Sequence, residues 1–299
     1  MKVLEIKNLV KSYGSLKAVN DVSFDIHKGE IFGLLGPNGA GKTSLISTVM
    51  TLEKINSGQI YVCGYDVQKQ ASITKSLVGF MPQDIIIHGY FSVREVIKFY
   101  SGFCGVWPDS ERIDYLLKRM DLWEQRNSKV RTLSGGMKRR LLIVKALVHS
   151  PKLLLLDEPT AGVDIQLRAS LWEFIKELKE ETSILFTTHY LEEAEKLCDR
   201  VAFIHKGKIR QIGKTNKLIS HLTTRKVLIK LKKGLSINKN KHHSGQNEDN
   251  YEVFLLPYSL TIVQLLKDLN LDMNEIQDLK VKEGSLEDVF NSVTEGISA

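Results

Sequence analysis

Alternating segments, unbroken apolar runs and stretches with apolar positions three and four residues apart follow one another along this chain. Val3-Leu4-Glu5-Ile6 and Val22-Ser23-Phe24-Asp25-Ile26 alternate apolar with polar residues, the pattern of half-buried strands, so residues 1–30 are read as antiparallel β structure. Glu30 to Leu35 is a short, nearly all-apolar strand, Thr43 to Met50 opens a helix, and Gln59-Ile60-Tyr61-Val62 is a further strand. From about Ser92 to Ser150 the period becomes helical. Val93, Val96, Ile97 and Tyr100 share one face, Ile113, Leu116, Leu117 and Met120 another, and Pro108-Asp109-Ser110 supplies a helix start between them. Lys152 to Asp157 contains four consecutive leucines, as expected of a parallel strand buried on both faces. A helix from about Ile165 to Glu181 and a strand from Ser183 to Thr187 follow, and the alternation of strands with helices predicts an α/β core.

Beyond about Thr215 the pattern changes. Lys226 to Leu231 alternates as a strand, and residues 234–250, rich in Asn, Lys, His, Ser and Gly, are read as a flexible loop. Tyr251 to Leu256 is a strand ended by Pro257, Leu260 to Leu269 an amphipathic helix, Leu279-Lys280-Val281 a strand, and Ser285 to Val293 a final helix. The expected organisation is a domain over 1–215, with a helical subdomain at about 84–150, and a small C-terminal α+β domain over 216–299.

Composition narrows the class. Of 299 residues, 42% are hydrophobic and 26% charged, an ordinary globular balance. No apolar run approaches the ~20 residues that cross a bilayer, and Met1 to Ile6 has no signal-peptide core, so neither a spanning nor a secreted protein is expected. Cys63, Cys104 and Cys198 are widely separated with no metal-binding spacing, which suits reduced thiols in a cytoplasmic protein. The net charge of +7 is scattered, without aromatic interleaving, and no nucleic-acid partner is expected from it.

The chemistry lies at strand ends. Gly36-Pro37-Asn38-Gly39-Ala40-Gly41-Lys42-Thr43 matches the phosphate-loop pattern G-x-x-x-x-G-K-S/T, between a strand and a helix, with Ser44 next. Glycines let the backbone wrap an anion, and the loop and helix N–H groups point at phosphates. Lys42 adds charge for the β- and γ-phosphates, and Thr43 a hydroxyl for Mg²⁺. After the four leucines, Asp157 suits a direct or water-mediated Mg²⁺ contact, and Glu158 is placed to act as general base on an attacking water. His189, just past a buried strand, suits either a γ-phosphate contact or the holding of water and Glu158. Gln83, in Met81-Pro82-Gln83, carries little signal by itself.

Leu133-Ser134-Gly135-Gly136-Met137, lying between the phosphate loop and the acidic strand, resembles the signature motif of ABC-type ATPases. Over residues 1–215 the chain resembles a complete ABC nucleotide-binding domain. The resemblance implies a P-loop NTPase core of ABC type with an antiparallel β subdomain and a helical subdomain. It makes Tyr13 the adenine-stacking aromatic, Gln83 the Q-loop glutamine with both catalytic and magnesium roles, Ala161-Gly162-Val163-Asp164 the D-loop and His189 the switch histidine. It further implies two such domains packed head to tail, with ATP and Mg²⁺ between the phosphate loop of one and Ser134-Gly135-Gly136 of the other.

Met137 stands where glutamine is usual, and Met137-Lys138-Arg139-Arg140 resembles the variant of the drug, lipid and polysaccharide exporters. Gly284 to Phe290 resembles the closing motif of daunorubicin-exporter-type ATPases, while the residues themselves give only a helix N-cap at Ser285 with Leu286, Val289 and Phe290 packing inward. The expected partners are a separately encoded membrane-spanning permease and a second nucleotide-binding subunit, as a homodimer, peripheral to the cytoplasmic face of the inner membrane. A soluble ABC ATPase acting on ribosomes or DNA, and an importer ATPase, are the alternatives.

Overall fold

The computed structural model describes residues 1–87, 89–107, 109–161, 165–232, 240–247 and 249–295. The chain divides into two compact units, Met1–Ile212 and Gly213–Ala299.

The first unit begins with β1 (Lys2–Tyr13) and β2 (Leu16–His27), an antiparallel pair in which Ile6 faces Phe24. β3 (Ile31–Leu35) leads into α1 (Lys42–Val49), followed by β4 (Ser57–Val62), β5 (Tyr65–Asp66), α2 (Ala71–Leu77) and β6 (Val78–Met81). The helical segment holds α3 (Val93–Phe103), α4 (Ser110–Arg119) and α5 (Gly135–Leu147). Then come β7 (Leu153–Asp157), α6 (Ile165–Leu178), β8 (Ser183–Thr188), α7 (Leu191–Leu197), β9 (Arg200–His205) and β10 (Lys208–Lys214).

Two sheets result. One has the order β2-β1-β4-β5 and is antiparallel, as the alternating N-terminal pattern requires. The other has the order β10-β9-β3-β8-β7-β6, with parallel pairing from β9 through β6. Every residue of β3, β7 and β8 is buried, so these strands can be apolar on both faces. A shared core joins Leu4, Ile6 and Ile26 of the antiparallel sheet with Leu34, Leu45, Leu155 and Leu185.

The helical period is obeyed. Val93 and Ile97 of α3, and Ile113, Leu116 and Leu117 of α4, are buried. Asp109 caps α4 by accepting from the N–H groups of Glu111 and Arg112. Ser92 and Glu95 form a capping box on α3. In this unit α2, β5, β6, α7, β9 and β10 lie outside the elements that the sequence pattern predicts. Among the described residues no helix is long and apolar enough to cross a membrane. None of the three cysteines is in a disulfide, and burial pushes the Cys198 thiol far above its usual range.

The second unit contains α8 (Thr215–Leu222), β11 (Arg225–Leu231), β12 (His243–Gln246), β13 (Glu252–Leu256), α9 (Ile262–Asp268), β14 (Ile276–Lys282) and α10 (Leu286–Glu295), with sheet order β12-β13-β11-β14. Val227, Ile229, Phe254 and Leu256 pack against Leu265 and Leu269 of the amphipathic helix. One expectation is corrected. Within the segment read as a loop, His243 to Gln246 forms a strand, pairing His243 with Phe254 and Gln246 with Glu252. Its four residues have no apolar alternation; the exposed edge of β13 supplies the ladder that organises them. Ser285 Oγ accepts from the Asp288 N–H at 3.2 Å, and the Asp288 carboxylate accepts from the Ser285 N–H at 3.0 Å, a reciprocal cap on α10. Leu286 and Val289 are buried.

Candidate active site

Parallel pairing brings the chemistry together. Leu35 at the end of β3 is level with Thr188 of β8, Asp157 of β7 with Thr187, and Met81 of β6 with Leu156. The residues just past these strand ends are therefore the phosphate loop, Glu158, His189 and Gln83, along one edge of the sheet, where open α/β sheets place their ligands.

The loop is shaped by close approaches. A Cβ on Gly36 would lie 2.3 Å from the Ile204 carbonyl oxygen, and one on Gly41 2.2 Å from that of Ala18, at a φ of +109° besides. Gly41 N-caps α1 without a side-chain hydrogen bond, so no side chain competes for the first N–H groups of the helix. Lys42 is buried. Its Nζ donates to the Gly36 carbonyl at 2.7 Å and the Pro37 carbonyl at 3.2 Å, and stands 3.4 Å from Glu158 Oε1.

Asp157 is buried at the end of β7. Its Oδ1 accepts from Thr187 Oγ1 at 2.6 Å, and the Thr43 hydroxyl stands close enough to favour the charged carboxylate. Oδ2 has no protein donor. Desolvation pushes the carboxyl above its ordinary value, with the Thr187 and Thr43 hydroxyls pulling the other way. An unsatisfied buried carboxylate oxygen beside a threonine hydroxyl suits a hard cation. Among the described residues no group of three or more His, Cys, Asp or Glu could hold a metal alone. Further ligands would have to come from water and phosphate oxygens, as is usual for Mg²⁺.

Glu158 is the convergence point. Gln83 Nε2 donates to its Oε2 at 3.4 Å, and His189 Nδ1 lies 3.1 Å from the same oxygen, at ion-pair range but not aligned as a hydrogen bond. Its backbone is left-handed, φ +49°, held by its N–H donating to the carbonyl and hydroxyl oxygens of Thr187, each at 3.1 Å. A non-glycine residue in this region is strained, and such strain gathers at functional sites.

Lys42, Thr43, Gln83 and Glu158 face a cleft of about 590 Å³ lined also by Tyr13, Asn38, Gly39, Gly41 and Ser44, while Asp157 and His189 stand behind its lining. Tyr13 leaves 42% of its surface exposed at the rim, with Lys11 Nζ 4.6 Å from its ring centre. Gly36, Pro37 and Ala40 build the loop beneath, and the Ala40 carbonyl accepts from the Gly207 N–H at 3.0 Å.

Ser134 caps α5, its Oγ accepting from the Met137 N–H at 3.2 Å, and both Ser134 and Gly135 are exposed. Ser134, Gly135 and Gly136 do not line the cleft formed by the phosphate loop of their own chain. Of the proposed D-loop, Ala161 is described and residues 162–164 lie outside the described residues.

Several contributors were not singled out as site residues in the sequence. Lys17 and Lys206 flank the cleft, and Lys206 belongs to a turn whose Gly207 carbonyl accepts from the Asn20 N–H at 2.8 Å. Thr187 holds Asp157 and Glu158 together, although nothing in a run of two threonines announces it. Glu193, buried on α7, accepts from Thr160 Oγ1 at 2.7 Å and Thr188 Oγ1 at 3.0 Å, joining the turn after Glu158 to the one before His189. In the sequence Arg139 stands out only as part of the Met137-Lys138-Arg139-Arg140 variant. It is buried, and donates to backbone carbonyls of the site.

Comparison with known proteins places the chain in a family. Residues 19–161 match the family model described as ABC transporter. The linearmycin resistance ATP-binding protein LnrL of Bacillus subtilis is 40% identical over 223 residues, covering 74% of this chain and 72% of the relative. The Nod factor export ATP-binding protein I of Cupriavidus pinatubonensis is 39% identical over 220 residues, covering 73% of this chain and 68% of that protein. A solved ATP-binding subunit of an ABC transporter superposes with a TM-score of 0.67 at 27% identity, over 72% of this chain and 91% of the other. This chain belongs to the ABC transporter family and is an ATPase of its ATP-binding type.

Proposed function

We propose that this chain powers export. Two copies would bind ATP head to tail and act on a separately encoded membrane permease, at the cytoplasmic face of the membrane. The observation that carries the catalytic reading is the setting of Glu158: one buried carboxylate reached by Lys42, Gln83 and His189 at the edge of the phosphate-loop cleft. In that setting Glu158 takes the proton of the attacking water, while His189 and Gln83 fix the direction of its carboxylate. Lys42 and the N–H groups of residues 39–44 neutralise phosphate charge. Thr43, Asp157 and Gln83 are the residues that would hold Mg²⁺, which, when bound, screens the β- and γ-phosphate oxygens. Tyr13 offers a ring at the rim for the base. Ser134 and Gly135, exposed, and Gly136, half-buried, all lie away from their own cleft and are free to close over the nucleotide of a second copy.

Export as the direction is supported by the names of the relatives, one a resistance protein and one an export protein, and by the Met137-Lys138-Arg139-Arg140 variant. The test is a tagged full-length Glu158→Gln protein, loaded with ATP and recovered from gently solubilised host membranes. The variant keeps nucleotide, nearly loses turnover, and brings down a polytopic membrane protein. Recovery of ribosomal or DNA-bound proteins instead, or full turnover by the variant, overturns the reading.

A further inference from the structure

Arg139 lies on α5 five residues beyond the cap Ser134, so the two are held about 7.5 Å apart along one rigid helix. Ser134 is exposed at the start of the helix, whereas Arg139 is buried. The guanidinium reaches three backbone carbonyls. Nη1 donates to the Glu158 carbonyl at 3.1 Å and to that of Ala161, and Nη2 to the Gln83 carbonyl at 3.1 Å. Those carbonyls belong to the proposed general base, to the first residue of the D-loop, and to the residue whose amide touches Glu158 Oε2 at 3.4 Å.

A buried charge satisfied by carbonyls adds little net stability, because desolvation offsets what the bonds return. What a planar fork supplies is direction: fixed N–H vectors that hold their acceptors in one arrangement. The arrangement held here is an unusual one. Glu158 sits at φ +49°, with its N–H side tied to Thr187 and its C=O side tied to Arg139. A shift of α5 would therefore bear on the backbone that carries Glu158.

We propose that Arg139 is a positioning residue that couples the seating of the Ser134 end of α5 to the alignment of Glu158 and Gln83 in the same chain. In a head-to-tail pair, Ser134 of one copy closes on the nucleotide of the other. Arg139 would then report that closure to the base of its own site, linking the two sites. This coupling rests on the head-to-tail reading above.

The test compares wild type with Arg139→Gln and Arg139→Lys, as full-length proteins. Four readouts are needed: amide hydrogen exchange without nucleotide, Tm, ATP-driven dimerisation in the Glu158→Gln background, and kcat and KM for ATP. For Arg139→Gln, exchange should quicken at residues 81–84 and 158–161 but not across β3 and β8. Dimerisation and KM should stay within about threefold of wild type, and kcat should fall about 10- to 100-fold, the scale of a small misplacement of a reacting group. Arg139→Lys, which keeps charge and donors but not the fork, should recover part of kcat. An unchanged kcat, or unchanged local exchange, overturns the proposal. So does a loss of kcat matched by equal losses of Tm and dimerisation, which marks a structural role only. If the Glu158→Gln protein with Arg139 intact fails to dimerise with ATP, the head-to-tail reading fails, and the coupling between sites fails with it.

Discussion

Asp157 shows how the burial of a single carboxyl works against the fold. Its carboxyl is pushed up chiefly by burial, so the native state holds its proton more tightly than the unfolded chain does. Its contribution to stability is then full below the ordinary value of 3.8 and is lost as pH rises through the raised native value. Asp157→Asn removes the titration while keeping an acceptor for Thr187. Without nucleotide, the variant should match wild type near pH 4 and exceed it in Tm toward pH 7, in thermal melts across that range. A gap that closes with rising pH would contradict the assignment. Part of this chemistry was legible in advance: Lys42, Thr43, Asp157, Glu158 and His189 were singled out from the sequence, because glycine spacing and strand-end carboxylates leave a side-chain signature. Arg139 and Thr187 were not. Arg139 acts on backbone carbonyls, and Thr187 on a main-chain N–H as well as Asp157, and neither arrangement is visible before the strands are aligned.

The same division holds for elements. β3, β7 and β8 were readable because burial on both faces demands an unbroken apolar run, and α3 and α4 because a helix buried on one side needs its three-four spacing. β12 was read as loop because its pairing comes from β13 and not from its own residues. β10 is not announced in the sequence because Ile209 and Ile212 stand three apart, on opposite faces of a strand, among Lys208, Arg210 and Lys214, so no apolar alternation marks it. Within β7, Leu154 is level with Gly79 on one side and Ile184 on the other, and is fully buried. Leu154→Ala should cost about 2–5 kcal/mol. Leu255→Ala, on a residue 36% exposed in β13, should stay within about 1 kcal/mol. Denaturant titration of both variants checks this, and equal effects would show that β7 is not the buried strand described here.

At the scale of the whole molecule, the position of Ser134 is the informative fact. A hydroxyl and two glycines begin a helix of 13 residues, Ser134 and Gly135 exposed and Gly136 half-buried, and none of the three lines the cleft that the phosphate loop of the same chain forms. Such a helix start favours an anion, and in the head-to-tail reading the anion belongs to the other subunit. Ser134→Ala should then leave ATP affinity of the monomer within about twofold while weakening ATP-driven dimerisation about tenfold or more, the scale of one lost hydrogen bond to a charged group. The substitution also removes the N-cap that receives the Met137 N–H, which by itself costs about 1 kcal/mol. Ser134→Asn separates the two effects. It retains a capping oxygen, so it should restore Tm, yet its bulkier amide sits where a small hydroxyl would meet phosphate. Dimerisation measured by light scattering in the Glu158→Gln background should therefore remain weak in both variants, whereas Tm should fall only in the alanine form. Recovery of dimerisation together with Tm in the asparagine form would assign Ser134 to the helix alone, and would remove the contact on which assembly across two subunits depends.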